Sequence, residues 1–178
     1  MYTTISLLSQ QLQETHRFLE ATMTGVTAEQ AHWVPPGKAN PIGAAYAHTI
    51  MIEDIVVNIV LKGTTPLFAT TWAGKTGVSE PMPMPGPDGR EYAGWTRRVR
   101  VDLPALQEYT QAVYAASAAY LSSLVPEDLD QVVDLSSLGI GQVTRAWVMS
   151  RLLIAHADNE CGEISCVKGL QGTRGYPV

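Results

Sequence analysis

Helical periodicity is the feature of this chain that most constrains its fold. Four long stretches place apolar residues three and four positions apart, which is the spacing of one face of an α-helix. They cover residues 4–24, 41–63, 102–124 and 144–169. No strand pattern and no internal repeat stand out beside them. We therefore predict an all-α fold, and four long helices with one long connection are typical of a four-helix bundle with a crossover.

Residues that favour helix ends stand at the limits of these stretches. Asn40 followed by Pro41 suits an N-cap and the first helical position. Asp102 and Thr144 suit N-caps because their side-chain oxygens can accept hydrogen bonds from the first helical turn. Gly25 suits the position just after a helix. The predicted helices therefore have defined ends.

A 38-residue connection separates the second and third predicted helices. Residues 63–100 contain six of the fifteen glycines and five of the eleven prolines, and no helical period is recognisable in them. Trp72, Tyr92 and Trp95 favour packing of this connection against the helices. A segment of this kind in a compact domain is usually functional or mobile, or contains short strands.

The composition favours a compact acidic protein. The chain has 178 residues, of which 46% are hydrophobic and 16% charged, and its formal net charge is −5. This length favours one domain, residues 1–178, with a core of its own. Nucleic acids and anionic membranes are not expected as partners because there is no excess of basic residues to neutralise phosphates.

The location of the protein is also constrained by the sequence. The apolar runs are interrupted before the length of about eighteen residues that a membrane span needs. The N-terminal segment has neither the basic region nor the cleavage site of a signal peptide. Cys161 and Cys166 are five residues apart in a predicted helix, so we expect them to be free thiols. Together these features predict a cytoplasmic protein.

Three polar side chains stand on otherwise apolar helix faces. His48 lies in mid-helix, and His156 and Glu160 lie one turn apart on the last long helix. A buried, ionised glutamate is costly unless a cation accompanies it. Two imidazoles and one carboxylate are a sound ligand set for Zn²⁺, Ni²⁺ or Fe²⁺. The residues alone leave two alternatives open. His156 and Glu160 could be a hydrogen-bonded pair on the helix surface, and His48 could be a core histidine whose ring nitrogens are hydrogen-bonded within the protein.

Two segments carry a resemblance to a known family. The segment TAEQAHWVPPGKANPIGAAYAHTIMIEDIV resembles the region around the first metal histidine of the DinB-like (damage-inducible) metalloprotein superfamily. The segment HADNECGEISCVKGLQG resembles that family's last-helix signature, His-x-x-x-His-x-Gly-Gln-Ile. In an ungapped alignment His156, Gly162 and Ile164 match the signature. The helix order and the long second connection fit as well, so the resemblance covers essentially the whole chain.

The resemblance implies a fold, a site and a class of activity. It implies a four-helix bundle, commonly a homodimer, which holds one divalent metal through His48, His156 and Glu160 beside a pocket for a small-molecule substrate. The connection 63–100 would cover or shape that pocket. Family members include metal-dependent transferases that use low-molecular-weight thiols. We therefore favour a thiol S-transferase that acts on a small electrophile. A metal-dependent hydrolase, or a non-catalytic binding or stress protein with a degenerate site, is the alternative.

The chain departs from the family signature at two positions. Glu160 stands where the second histidine of the signature is expected, and Glu163 stands where glutamine is usual. A glutamate can coordinate a divalent metal, but the site would carry one more negative charge. A decayed site, in which Glu160 only contacts His156, is the alternative. Glu163 follows the same face and is our candidate catalytic residue, as a general base, a fourth ligand or a residue that orients a ligand; a solvated side chain is the alternative.

Other polar residues have structural interpretations. We expect His16 to be a partly buried structural histidine and His32 to lie on the surface. Arg97, Arg98 and Arg100 form a basic cluster that could hold a substrate carboxylate, although a solvated loop edge is the simpler interpretation.

Overall fold

The computed structural model describes residues 3–83 and 90–177, and it is mostly helical. The α-helices are α1 (Thr4–Met23), α2 (Ala28–His32), α3 (Ile42–Asp54), α4 (Arg90–Arg98), α5 (Leu103–Ser122), α6 (Arg145–Val148) and α7 (Ala155–Leu170). Two π-helical segments occur, Ile55–Leu61 as the continuation of α3 and Met149–Ile154 between α6 and α7. Short 3₁₀ turns occur at Leu67–Ala69, Pro126–Asp130 and Ser136–Leu138. The all-α prediction is confirmed.

Four long helices pack in a ring. Helix α1 contacts α5 and α7, and α3 contacts the same two helices. Each of the four therefore has two neighbours, which is the arrangement of a four-helix bundle. The predicted bundle is confirmed over the described residues.

Most of the predicted helix ends are observed. The Asp102 side chain accepts a hydrogen bond from the Ala105 amide at 3.3 Å, and Thr144 accepts one from the Trp147 amide at 3.2 Å. Gly25 adopts φ 75° directly after the cap of α1, where a residue with a Cβ would be strained. The start of α3 differs by one residue, since Pro41 is itself the N-cap.

Helix α2, a two-stranded β-hairpin and helix α4 were not predicted from the sequence. Strand β1 (Val132–Asp134) pairs antiparallel with β2 (Gln142–Thr144), with Val133 opposite Val143. Three residues are too few to show an alternating pattern. Helix α4 lies in the connection that we expected to lack helical order, and its nine residues follow a Pro/Gly-rich run. Residues 84–89 of that run lie outside the described residues.

The expectation that no apolar run reaches the length of a membrane span is wrong, since helix α3 and its π continuation are apolar enough, and long enough, to cross a membrane. However, 72% of the apolar window in Ile42–Leu61 is buried inside the structure. A helix that is surrounded on all sides is expected to be apolar all round. Helix α3 contacts α2 and α4 in addition to α5 and α7, and this cover accounts for its composition.

Two apolar clusters form the core. One joins α3 to α4, α5 and α7, and includes Tyr46, Trp95, Tyr109 and Ile164. The other joins the start of α1 to the two π segments and the β-hairpin, and includes Leu12, Val57, Leu129 and Met149. The polar residues described next lie where α3 and α7 meet.

Candidate metal site

The three predicted ligand residues lie together. The Nε2 atoms of His48 and His156 are 3.1 Å apart. Oε1 of Glu160 lies 3.7 Å from His156 Nε2 and 4.0 Å from His48 Nε2. Donor atoms of the three residues all lie within 4.8 Å of one another. The structure therefore brings one imidazole of α3 to a His–Glu pair of α7.

The helices place these side chains through simple geometry. His156 and Glu160 are four residues apart, so they stack on one face of α7. The π segment Met149–Ile154 ends directly before this pair. A π segment contains an extra residue per turn, and each residue turns a helix by about 100°. The segment therefore sets which face of α7 meets α3, and such segments are frequent at functional sites.

Burial controls the charge of the cluster. The side chains of His48, His156 and Glu160 are 18%, 24% and 14% exposed. Burial, with His156 nearby, lowers the pKa of His48 to about 4. Burial also lowers the pKa of His156, although the Glu53 carboxylate opposes this shift. At neutral pH both imidazoles are therefore uncharged, which is the form that binds metals.

Glu160 behaves differently because it is an acid. Burial, reinforced by the charge of Glu163, raises the pKa of Glu160 to about 7. Its Oε2 atom is buried and has no hydrogen-bond partner among the described residues. A buried polar atom without a partner costs about 1–3 kcal/mol. Among the described residues, this oxygen therefore has no donor that compensates its burial.

The donor set fits a divalent cation. With metal–ligand distances of about 2.1 Å, two ligands in an octahedral or tetrahedral site are about 3.0–3.4 Å apart. The observed separations of 3.1, 3.7 and 4.0 Å are close to this range. A cation would also compensate the Glu160 carboxylate. Two histidines and one carboxylate are a ligand set that Zn²⁺ and Fe²⁺ use in enzymes.

The connection between α3 and α5 contributes two contacts to His48. Its Nδ1 atom lies 3.2 Å from Met82 Sδ, and its ring meets the ring of Tyr92 edge-on with centroids 5.0 Å apart. A hydrogen bond from Nδ1 would fix the tautomer that leaves Nε2 free. Tyr92 was among the aromatic residues that we expected to pack against the helices, whereas no feature of the sequence indicated a role for Met82.

A buried polar network lies next to the cluster. Glu53 is 3% exposed and accepts hydrogen bonds from Ser117 Oγ at 2.5 Å and from His16 Nε2 at 2.9 Å. The His16 ring stacks on Tyr114 with centroids 3.6 Å apart. His16 is therefore a structural histidine, as predicted. The sequence analysis missed Glu53, since an acid within an apolar helix gives no sign of its partners.

Glu163 lies outside the cluster of donor atoms. It is exposed on α7, one turn beyond Glu160. Its charge nevertheless raises the pKa of both Glu160 and Tyr92, although burial is the larger cause for each. It therefore faces the same region, and its catalytic role stays a prediction.

The other polar residues serve the fold. Arg97 donates to the carbonyl oxygens of Gly37 at 3.1 Å and Ala39 at 2.9 Å, and Arg98 pairs with Glu80 at 3.0 Å. These guanidinium groups are engaged within the protein. His32 is not a free surface residue, because its Nε2 accepts a hydrogen bond from the Val101 amide at 2.9 Å.

Comparison with known proteins identifies the family. The model of the DinB superfamily matches residues 11–163, which include His48, His156 and Glu160. The chain belongs to the DinB superfamily. DinB proteins are generally associated with metals, and the His/Glu cluster is the candidate site for one in this member.

A solved structure shows the same fold. It is described as the crystal structure of the conserved protein of locus from Enterococcus faecalis. The two chains are 21% identical with a TM-score of 0.75, and the alignment covers 95% of this chain and 99% of the other. No curated protein matches the sequence. The comparisons therefore support the DinB fold and family without a specific activity.

Proposed function

We propose that this DinB protein is a divalent-metal-dependent enzyme of the thiol S-transferase type, acting on a small electrophilic molecule. The observation that carries the proposal is the convergence of His48, His156 and Glu160, with one oxygen of Glu160 buried and unpaired. The two uncharged imidazoles and the carboxylate would hold the cation. Zn²⁺, Ni²⁺ and Fe²⁺ all suit this set.

The bound cation would lower the pKa of a thiol or water molecule that binds to it. The residues around it would control access. Tyr92 and Met82 cover His48 on the side of the connection, so they exclude water there and orient the imidazole.

The thiol would come from outside the chain. Cys161 is buried, and burial raises the pKa of its thiol to about 12, so it is a poor nucleophile. Cys166 is exposed on α7 and is not part of the donor cluster. We therefore propose a low-molecular-weight thiol as co-substrate. Its sulfur would form a bond to the electrophilic carbon, the leaving group would depart with its bonding electrons, and the thiol proton would pass to solvent.

A metal-dependent hydrolase is the second candidate. The position of Glu163 favours it, because an exposed carboxylate next to Glu160 could take a proton from an attacking water molecule. The two candidates differ in their need for a thiol.

Turnover assays separate these functions. We expect metal-loaded protein to couple glutathione or cysteine to chlorodinitrobenzene, with a rate that depends on both metal and thiol. We expect His156→Ala and Glu160→Ala to lower the rate about 100-fold, since ligand loss removes the site, while Cys166→Ser stays within about twofold. Equal rates with and without metal would contradict the proposal. Ester hydrolysis that needs no thiol and that Glu163→Gln abolishes would show that the protein is a hydrolase and not a thiol transferase.

A further inference from the structure

A cavity of about 380 Å³ adjoins the candidate metal site. Met51 and Ile55 line it, and they lie three and seven residues after His48, so they follow the same helix face. Met82 also lines it, and the sulfur of Met82 contacts His48. Met82 therefore lies between the cavity and the candidate metal ligand His48.

Both walls formed by the connection are anchored to the bundle. On one side, the buried Asp54 carboxylate accepts hydrogen bonds from the Phe68 amide at 3.0 Å and from Tyr109 Oη at 2.6 Å. On the other side, the Asp102 amide donates to Gly77 O at 2.8 Å. Gly77 has φ 74°, and a Cβ there would lie 2.6 Å from Asp102 O. The cavity is therefore formed before any ligand binds, as is usual for small-molecule sites.

The lining of the cavity is mainly apolar. Its apolar members are Met51, Ile55, Phe68, Val78, Pro81 and Met82. Among the described residues that line it, Glu80 is the one with a charged side chain, and Arg98 compensates it at 3.0 Å. A ligand carboxylate or phosphate would find no cation among the described residues of this lining, and burial of an unpaired charge is costly.

We propose that this cavity binds the uncharged, apolar body of the electrophilic substrate and so selects neutral small molecules. This inference rests on the proposed function, since it assigns the cavity to the substrate of that site. A volume of about 380 Å³ lies at the small end of ligand pockets. Anionic substrates would be disfavoured by this mainly apolar lining, whose charged member, Glu80, is itself an anion.

A second cavity provides an internal control. It measures about 910 Å³ and shares Gly74, Val78 and Ser79 with the first, so residues 74–79 separate the two. Arg100, Asp102 and Gln107 line it, so it offers a cation, beside one carboxylate, whereas the lining of the smaller cavity has no cation among the described residues. An anionic apolar ligand should therefore prefer the larger cavity.

Probe binding to the 178-residue chain tests the proposal. It is measured on metal-free protein and again in the presence of Zn²⁺. N-phenylnaphthylamine is neutral, and anilinonaphthalene sulfonate is its anionic counterpart. We expect the neutral probe to shift the isotope-labelled methyl signals of Met51 and Met82 and not that of Met149, which lies in the other core cluster. The dependence of these two signals on probe concentration gives the affinity. We expect an affinity about tenfold lower for the sulfonate, since its charge would be unpaired there.

Matched variants locate the binding site. Ile55→Trp fills the smaller cavity and is expected to weaken the neutral probe about tenfold, while Gln107→Trp, which fills the larger one, changes it less than about twofold. The proposal would be overturned if the neutral probe left the Met51 and Met82 signals unchanged, or if both probes shifted them with equal affinity. The methyl signals need no substitution, so misfolding of Ile55→Trp leaves the test intact. If the neutral probe shifts both signals but the protein does not bind Zn²⁺, the proposed function is refuted while the assignment of an apolar ligand to this cavity stands.

Discussion

At the scale of single residues, Glu160 lowers the stability of the metal-free protein and is also a candidate metal ligand. Its carboxylate is buried, its second oxygen has no partner among the described residues, and its pKa is raised to about 7. A raised pKa means that the metal-free protein is penalised at high pH, where the folded state must hold the charged form. Such a residue is explained by a ligand that compensates it.

Glu160→Gln is predicted to stabilise the metal-free protein at about pH 8, by about 1–3 kcal/mol, while weakening metal binding by up to about 100-fold. The amide removes the buried charge at the same size. Near pH 5 the wild-type carboxyl is already protonated in the folded state, so the difference should vanish. Chemical unfolding at both pH values measures the effect. A variant that is less stable than the wild type at pH 8 would contradict this account of Glu160.

The proximity of His48, His156 and Glu160 could be predicted because the family resemblance added to two weaker signals, polar residues on apolar helix faces and an i, i+4 spacing that fixes a shared face. Met82 and Glu53 could not. The contact of Met82 with His48 depends on the path of an irregular connection, and the partners of Glu53 come from α1 and α5. Such contacts are properties of the tertiary structure that local periodicity does not record.

At the scale of elements, the connection between α3 and α5 is tied to the bundle by one buried carboxylate. Asp54 is fully buried and accepts hydrogen bonds from Leu67 N, Phe68 N, Tyr109 Oη and Asn58 Nδ2 at 2.6–3.0 Å. These bonds fix the point where the connection leaves α3. The wall of the smaller cavity therefore depends on Asp54.

Asp54→Asn is predicted to lower the free energy of unfolding by about 2–3 kcal/mol, since an amide has one acceptor oxygen and leaves buried donors unpaired. Urea titration measures the loss. Asp130→Asn, at the exposed last residue of a 3₁₀ turn, is the matched control and should change stability by less than about 0.5 kcal/mol. Equal stabilities of the two variants would show that Asp54 does not anchor the connection.

The long helices followed from the sequence because each has many residues with one period and a recognisable cap. Strands β1 and β2 and helix α4 did not, because three to nine residues carry too little periodicity to be distinguished from a loop. Their structure depends on contacts with the bundle, such as the burial of Trp95 of α4 in the core.

At the scale of the whole molecule, the fold is a bundle in which the candidate site joins two of its four helices. A ligand that binds across α3 and α7 can bind only the folded chain, so it should stabilise the molecule as a unit. The homodimer, the single domain 1–178 and the cytoplasmic location stay predictions from the sequence and its family resemblance.

Saturating Zn²⁺ is predicted to raise the melting temperature by about 5–10 °C, because a ligand at about 100 times its dissociation constant adds about 2.7 kcal/mol. His156→Ala should show no such shift. Scanning calorimetry with and without metal measures it. An equal shift in the wild type and in His156→Ala would mean that the metal stabilises the protein from another site.

The most direct test of the central claim is calorimetric titration of Zn²⁺ into protein that has been stripped of metal. The account predicts about one ion per chain, with affinity lowered about 100-fold in His48→Ala, His156→Ala and Glu160→Ala. Cys166→Ser, on the same helix as two of these residues, should bind as the wild type does. Wild-type protein that binds no ion, or a His156→Ala variant that binds as tightly as wild type, would contradict the assignment of this site.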